Sequence, residues 1–216
     1  MTLGTGGARS MRTVVLLATS LLLAAHTVLA FELRVTAPLT IVRPDHQGYT
    51  SYWRWGPGGG LGLEGIPDGS DFGVALWTEF AELPGRSRGL YGDTVTVSPW
   101  DQTRVFVGLR AHLHPRHAPG LAITGDLATG RGVMDFGDVR VQRASIQAEN
   151  VPASRQWGDI FTFGAGLELL GERFGAFADM RSEVFSPDGD VVHFFTWNTK
   201  RIGLIWRPWR PASSDD

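Results

Sequence analysis

The sequence predicts an all-β fold, a closed antiparallel up-and-down barrel of about eight strands that spans a membrane. Three observations support this fold class. Apolar and polar residues alternate with period two, which is the period of a β-strand. The alternating stretches are at least ten residues long, as tilted transmembrane strands need to be. The connections between them are alternately short and long.

The eight candidate strands show the alternation along both faces. In the stretch 104–114, for example, Val105 and Leu109 share one face, while Arg104 and Arg110 share the other. The predicted strands cover about 32–42, 57–66, 71–82, 102–114, 119–128, 158–170, 173–185 and 194–207.

The connections support a closed barrel with an even number of strands. Three are short, namely 67–70, 115–118 and 171–172. Four are longer, namely 43–56, 83–101, 129–157 and 186–193. One rim then carries tight turns and the other carries long loops, which is the pattern of outer-membrane barrels. Eight strands also place both chain ends at the short-turn rim.

Two segments test this arrangement. Pro38 lies inside the first predicted strand and removes one ladder hydrogen bond, although a closed barrel has no free edge for it. Residues 138–148 alternate as a ninth strand would, and we interpret them as an extension or a hairpin within the long loop. A ten-stranded barrel that uses part of 88–98 is the alternative.

The first thirty residues have the composition of a secretory signal peptide. Arg9 and Arg12 precede an apolar run at 13–25, and small residues follow up to a predicted cleavage site after Ala30. The sequence therefore predicts a signal peptide at 1–30, a β-barrel domain at 31–207 and a C-terminal tail at 208–216.

Composition excludes several classes of protein. The 216 residues include no cysteine, which excludes a disulfide scaffold and a zinc ribbon. The formal net charge of −2 argues against nucleic-acid binding. Lysine occurs once, at Lys200, so the other basic residues are arginines. We expect no cofactor.

The polar face carries charges of both signs together with many glycines, which suits a crowded lumen rather than a solvated exterior. Eight strands enclose a space that side chains just fill, and buried charges must be paired. We therefore predict a lumen ion network formed by Glu64, Glu79, Arg104, Arg110, Asp126, Glu168, Asp179, Arg181, Glu183 and Arg201.

Two further groups of residues are candidates for specific roles. Tryptophans near strand ends predict the aromatic girdles of a membrane barrel, formed by Trp53, Trp55, Trp100, Trp157, Trp197 and Trp206. His112 and His114 share a strand face at i and i+2, so they are a candidate metal site, with Asp126 as a third ligand.

On this pattern the mature chain resembles the small outer-membrane β-barrel family of the OmpA and OmpX transmembrane-domain type. The stretch 201–206, Arg-Ile-Gly-Leu-Ile-Trp, is similar to the polar-x-Gly-x-x-hydrophobic part of that family's assembly signal. The resemblance implies a place in the bacterial outer membrane, with outer-membrane lipids and the barrel assembly machinery as partners.

The preferred function is a non-enzymatic barrel with a closed lumen that serves membrane integrity, or surface interaction through the loops at 83–101 and 129–157. One alternative is a lipid A or phospholipid acyl hydrolase, for which His193 with Ser182 or Ser186 and Glu183 is conceivable. Another is a soluble periplasmic barrel that carries a small ligand in its lumen.

Overall fold

A computed structural model describes residues 31–45, 52–90, 92–142, 149–189 and 195–209. The predicted signal peptide, His193 and residues 210–216 of the predicted tail lie outside these residues. Pro208 and Trp209, which were also assigned to the tail, belong to the last strand. None of the described residues belongs to a helix that is long and apolar enough to cross a membrane. The strands are β1 (Phe31–Pro44), β2 (Gly56–Pro67), β3 (Phe72–Leu83), β4 (Ser87–Leu90), β5 (Asp93–Val97), β6 (Trp100–Leu113), β7 (Leu121–Phe136), β8 (Val139–Gln142), β9 (Glu149–Val151), β10 (Ser154–Leu170), β11 (Phe174–Pro187) and β12 (Phe195–Trp209).

Eight of these strands form a closed barrel in the order β1-β12-β11-β10-β7-β6-β3-β2, and every neighbouring pair is antiparallel. The barrel closes where β1 pairs with β12, from Leu33 opposite Trp209 to Pro44 opposite Trp197. The predicted fold class is therefore confirmed. The ten-stranded alternative is wrong, because residues 88–98 contribute β4 and β5 to a separate sheet.

That second sheet has four strands in the order β4-β5-β8-β9. The β4–β5 hairpin comes from the long connection after β3, and β8 and β9 come from the long connection after β7. The two connections join through antiparallel pairing of β5 with β8, where Val95 lies opposite Val141. β8 also pairs antiparallel with β9, so the long loop contains a hairpin, but its second strand lies beyond the predicted segment 138–148.

The structure accommodates Pro38 at an interruption of one ladder. Pairing between β1 and β2 stops after Thr36 and resumes at Leu39, whereas pairing with β12 continues through Pro38 opposite Gly203. The Pro38 carbonyl points towards Gly59 of β2. The side of Pro38 that lacks an N–H therefore faces β2, so the missing hydrogen bond falls in the β1–β2 ladder and the pairing of β1 with β12 is kept.

The two rims differ as the connection lengths predicted. The chain-end rim carries both ends of the described barrel and three short turns, and Gly69 and Gly120 adopt φ values of 70° and 85° within two of them. The opposite, long-loop rim carries the second sheet. The barrel strands have 12 to 17 residues, more than the roughly 9–11 that span a bilayer.

Candidate functional site

The lumen is lined by the polar face of every barrel strand, and its charged side chains are excluded from solvent. All ten residues of the predicted ion network lie there, each with a side chain no more than 6% exposed. Lumen-facing glycines make the room. A Cβ on Gly164 would lie 2.6 Å from both Asp126 Oδ1 and Arg181 Cγ.

Glu79 is the centre of the network. Its Oε1 lies 2.6 Å from Arg201 Nη1 and 3.7 Å from Arg181 Nη1, and its Oε2 accepts a hydrogen bond of 3.1 Å from Arg104 Nη2. Arg181 also lies 2.6 Å from Asp126 Oδ2. Its guanidinium carbon is 4.1 Å from the centre of the Trp77 ring, which adds a cation–π contact.

The network continues in both directions along the lumen. Arg201 donates two hydrogen bonds to Asp179, one of them 2.6 Å long from Nε to Oδ1. Arg110 lies between Asp179 and Glu168, at 3.6 Å and 3.3 Å. Towards the long-loop rim, Arg104 Nη1 donates to Glu183 at 2.5 Å. The lumen charges therefore form one connected set.

Near the chain-end rim the network includes His112, which sequence analysis assigned to a possible metal site. His112 Nε2 lies 2.8 Å from Glu64 Oε1, and its Nδ1 lies 3.3 Å from both Glu168 Oε2 and Arg34 Nη1. His114 is exposed on the strand end, and Asp126 pairs with Arg181 instead. Among the described residues no three His, Cys, Asp or Glu side chains are grouped to hold a metal ion.

A final pair of charges that was not among the predicted network residues lies at the chain-end rim. Arg207 donates hydrogen bonds of 2.6 Å from Nε and Nη2 to the two carboxylate oxygens of Glu32, and Arg34 Nε donates to the same carboxylate at 2.6 Å. The signal was present in the sequence, because Glu32 and Arg207 continue the period-two positions of Arg34 and Arg201.

An aromatic core fills the opposite end of the lumen. Trp100 stacks on Phe136 with ring centres 4.8 Å apart, and it contacts Trp53 and Trp197 edge-on at 5.6 Å and 6.1 Å. Phe185 and Phe195 complete this aromatic plug. Charged residues thus fill the chain-end and middle parts of the lumen, and rings fill the long-loop end.

This plug corrects half of the predicted girdle. Trp53, Trp100 and Trp197 are only 8%, 1% and 1% exposed, so they do not face lipid. Trp100 and Trp197 are buried because each lies an even number of positions from an inward-facing arginine of its own strand. Trp100 therefore shares the inward face with Arg104, and Trp197 shares it with Arg201. Trp53 lies off the barrel strands and donates its indole N–H to the Ser98 carbonyl at 3.2 Å. The other three, Trp55, Trp157 and Trp206, are about half exposed.

The outward face of the barrel is apolar all the way round. Each of the eight barrel strands presents at least one large apolar side chain that is more than half exposed, for example Leu39, Leu61, Phe80, Leu109, Leu127, Phe163, Met180 and Leu204. On β10 the belt runs from Phe161 to Leu169, which is about 27 Å along the strand at ~3.4 Å per residue. At a tilt of about 40° this is roughly 20 Å of membrane, close to the apolar band of ~25 Å on such barrels.

A belt of this extent is stable only in lipid, because a soluble barrel buries its apolar face. The protein is a transmembrane β-barrel of the outer-membrane type. The soluble periplasmic alternative is therefore wrong, and the outer-membrane location is confirmed, since β-barrels that span lipid are the architecture of that membrane.

Comparison with known proteins finds likenesses of fold among solved structures only. No protein-family model and no curated protein sequence matches the chain. Among solved structures it is similar to Neisserial surface protein A (8% identity, TM-score 0.49, 82% of this chain and 96% of that one). It is also similar to a major outer membrane protein of Thermus thermophilus, at 13% identity and a TM-score of 0.44 over 82% of this chain and 99% of that one. OprG of Pseudomonas aeruginosa is similar at 13% identity and a TM-score of 0.43, over 82% of this chain and 96% of that one. At these identities the likeness concerns the fold alone.

Of the residues suggested for an acyl hydrolase, His193 lies outside the described residues, and Ser182 and Glu183 do not share a face of the barrel. Ser182 and Glu183 are neighbours on β11 and point to opposite faces. The Ser182 hydroxyl bonds to Asn198 Oδ1 at 2.9 Å, on the outside. Glu183 points inwards, where it accepts hydrogen bonds from Arg104 and from the Thr199 hydroxyl, the latter 2.6 Å long. Glu183 is thus not available to orient a histidine at the lipid face.

The second sheet is tied to the barrel rim by Ser98 and Asp138. The Ser98 hydroxyl donates to Asp138 Oδ1 at 2.5 Å, and the Ser98 amide donates to the Asp138 carbonyl at 3.0 Å. Arg140 Nε adds a bond of 3.0 Å to the same carboxylate. The Ser98 hydroxyl bond and then the Arg140 guanidinium hold the pKa of Asp138 below its ordinary value. These contacts join the two longest loops next to the plug.

Proposed function

We propose that this protein is a non-enzymatic component of the bacterial outer membrane, a sealed barrel that supports membrane integrity and makes surface contacts through its long loops. The filled lumen is the observation that supports a sealed barrel with a role in membrane integrity. Ion pairs occupy it from Glu32 to Glu183, and the aromatic plug around Trp100 occupies the rest. A barrel filled in this way adds a rigid protein wall to the membrane without adding a pore.

The surface part of the proposal rests on the second sheet. Loops of this length are ordinarily variable, yet here two of them pair with each other through β5 and β8. β4 and β9 are the edges of this sheet. An edge strand offers backbone N–H and C=O groups to an extended segment of another protein, which is the simplest form of surface recognition for such a sheet.

The sealed lumen can be tested by electrical recording. We expect the full-length barrel, reconstituted in a planar lipid bilayer, to give no single-channel steps at any applied voltage that the bilayer tolerates. A double variant that removes part of the plug, Trp100→Ala with Trp197→Ala, should also stay closed, because the ion pairs below it remain. Regular conductance steps in the unmodified barrel would contradict the proposal.

The hydrolase is kept as the alternative function because its proposed base, His193, lies outside the described residues. Purified barrel should show no release of fatty acid from phospholipid or lipid A micelles. Release that disappears in the His193→Ala variant would replace the present proposal with the enzymatic one. Release that persists in that variant would point to a contaminating enzyme.

Partners follow from the same proposal. The apolar belt requires contact with outer-membrane lipids along its whole circumference. Insertion would depend on the barrel assembly machinery, which would engage β12 with its outward-facing Ile202, Leu204 and Trp206. Replacing Trp206 with Ser should then reduce the amount of folded barrel in the outer membrane, while total synthesis stays unchanged.

A further inference from the structure

A small group of cations surrounds Trp55 on the outer wall, just below the long-loop rim. The Arg43 guanidinium carbon lies 5.4 Å from the centre of a Trp55 ring, and Lys200 Nζ lies 5.9 Å from it. Lys200 pairs across the barrel closure with Ile41, and directly opposed residues share a face of the sheet. Since Ile41 is 47% exposed on the lipid side, the only lysine of the chain also faces the membrane.

Within the described part of the chain these cations lack an acidic partner. Among the described residues, no carboxylate lies within 4.0 Å of the charged nitrogens of Arg43, Arg54 or Lys200. Two other arginines near the same rim are compensated. Arg131 pairs with Asp159 and Asp188, and Arg155 pairs with Asp135. A charge on the lipid face is costly unless its head reaches the interface or meets an anion.

Two of these cations, Arg43 and Arg54, also border a cavity. Arg43, Arg54 and Trp55 line this space of about 580 Å³, together with Pro44, Trp53 and Arg86. Directly below it along β1, the lipid belt begins with Ile41 and continues to Leu39. The surface is thus basic in its upper part and apolar in its lower part, with an indole ring at the boundary.

We propose that this surface, the Trp55 site, binds the phosphate-bearing headgroup of a glycolipid in the outer leaflet. Phosphate oxygens would accept hydrogen bonds from Arg43, Arg54 and Lys200, since arginine and lysine are the ordinary ligands of phosphate. The acyl chains would lie on Ile41 and Leu39. Because several cations surround one cavity, a headgroup with two phosphates fits it better than one with a single phosphate.

The single lysine provides a direct test. The folded full-length barrel in detergent micelles is treated with an amine-reactive acetylating reagent, and modification of Lys200 is followed by mass spectrometry. We expect diphosphorylated lipid A to slow this modification by about tenfold or more, as bound phosphates do to the amine they contact. Lipid A stripped of both phosphates should leave the rate nearly unchanged. The chain's α-amino group serves as the internal control.

Two results of this experiment would overturn the proposal. Equal protection by the two lipids would mean that acyl chains alone cover Lys200. Equal protection by millimolar inorganic phosphate would mean that the site takes a free anion rather than a lipid.

Variants provide an independent measurement. Arg43→Gln should weaken binding of diphosphorylated lipid A by about tenfold. Arg155→Gln, which removes the same charge from a paired arginine on β10, should leave this binding unchanged. Unchanged binding by folded Arg43→Gln would overturn the proposal. Folding is checked by the gel mobility of unboiled samples, and the Lys200 protection remains decisive if this variant does not fold.

Discussion

Glu79 shows how a single residue holds the lumen together. Its carboxylate meets Arg104, Arg181 and Arg201 and is 1% exposed. Removing one member of a buried ion group leaves the others uncompensated, which costs about 3–5 kcal/mol. We therefore expect Glu79→Gln to lower the free energy of unfolding by about this amount, measured by urea titration of tryptophan fluorescence in lipid vesicles.

The matched control for that variant lies three residues further along the same strand. Glu82 is exposed on the outside, so Glu82→Gln should change the free energy of unfolding by no more than about 0.5 kcal/mol. Equal effects of the two substitutions would show that the lumen carboxylate is not specifically engaged.

Glycine at position 164 tests the crowding of the lumen. Because a Cβ there would lie 2.6 Å from Asp126 Oδ1 and from Arg181 Cγ, Gly164→Ala should destabilise the barrel by about 1–3 kcal/mol. Gly125→Ala makes the same change on the neighbouring strand, where the nearest atom is 4.0 Å away, and should have little effect. Comparable losses for both glycines, in the same urea titration, would contradict the crowding argument.

At the residue scale, the alternation of side chains along each strand predicted the lumen charges, because every second side chain faces inwards. The same alternation places Trp100 and Trp197 inwards, whereas a position near a strand end favours an aromatic girdle. Parity decides the outcome, since Trp197 shares the inward face with Arg201 although it lies near a strand end. The alternation along a strand does not apply to Trp53, because Trp53 lies outside the barrel strands, in an isolated β-bridge with Gly85.

At the scale of one strand, β6 tests which face meets lipid. Leu109 is 57% exposed in the middle of the belt, and a charged side chain near the bilayer midplane costs about 2–4 kcal/mol. Leu109→Arg should lower the free energy of unfolding in vesicles by this amount, whereas Leu109→Phe should be nearly neutral. Unchanged folding of Leu109→Arg would mean that the outward face of β6 does not contact lipid.

The second sheet is a separate element, because its pairings do not extend into the barrel ladders. Replacing residues 140–150 with a short Gly-Ser linker should therefore leave the barrel folded and remove surface contacts only. Val139 is retained because it packs against the buried core. The measurement is the gel mobility of unboiled variant, and loss of folded barrel would show that the sheet is needed for assembly.

Sequence alone predicted an extension or a hairpin in the long loop after β7 but not the β5–β8 pairing. The two strands of a hairpin are close in sequence, so the alternation of apolar and polar residues and the length of the segment are enough to indicate it. The β5–β8 register joins residues some 45 positions apart, such as Val95 and Val141, and nothing in either segment specifies the other. The same limit applies to the Trp55 site, where Arg43 and Lys200 meet only because the barrel closes.

For the whole molecule, the alternation of short and long connections predicted an even number of strands, because both chain ends then lie at one rim. The choice of eight over ten depended on residues 88–98, which form a separate sheet. The closed ladder also predicts resistance to detergent. In cold SDS, unboiled protein should migrate differently from boiled protein, since the folded barrel binds less detergent than the extended chain. Identical mobilities in both samples would mean that the closed barrel is not stable outside lipid.

The closure between β1 and β12 has a consequence for how fast the chain can fold. Leu33 and Trp209 are partners, so this ladder joins the two extremes of the described chain. Contacts this far apart in sequence carry the largest loop-closure entropy and form slowly. β1 is also the strand with the register shift after Leu33 and the gap at Pro38. The barrel must therefore remain open until β12 is in place, and every intermediate before closure exposes two unpaired strand edges.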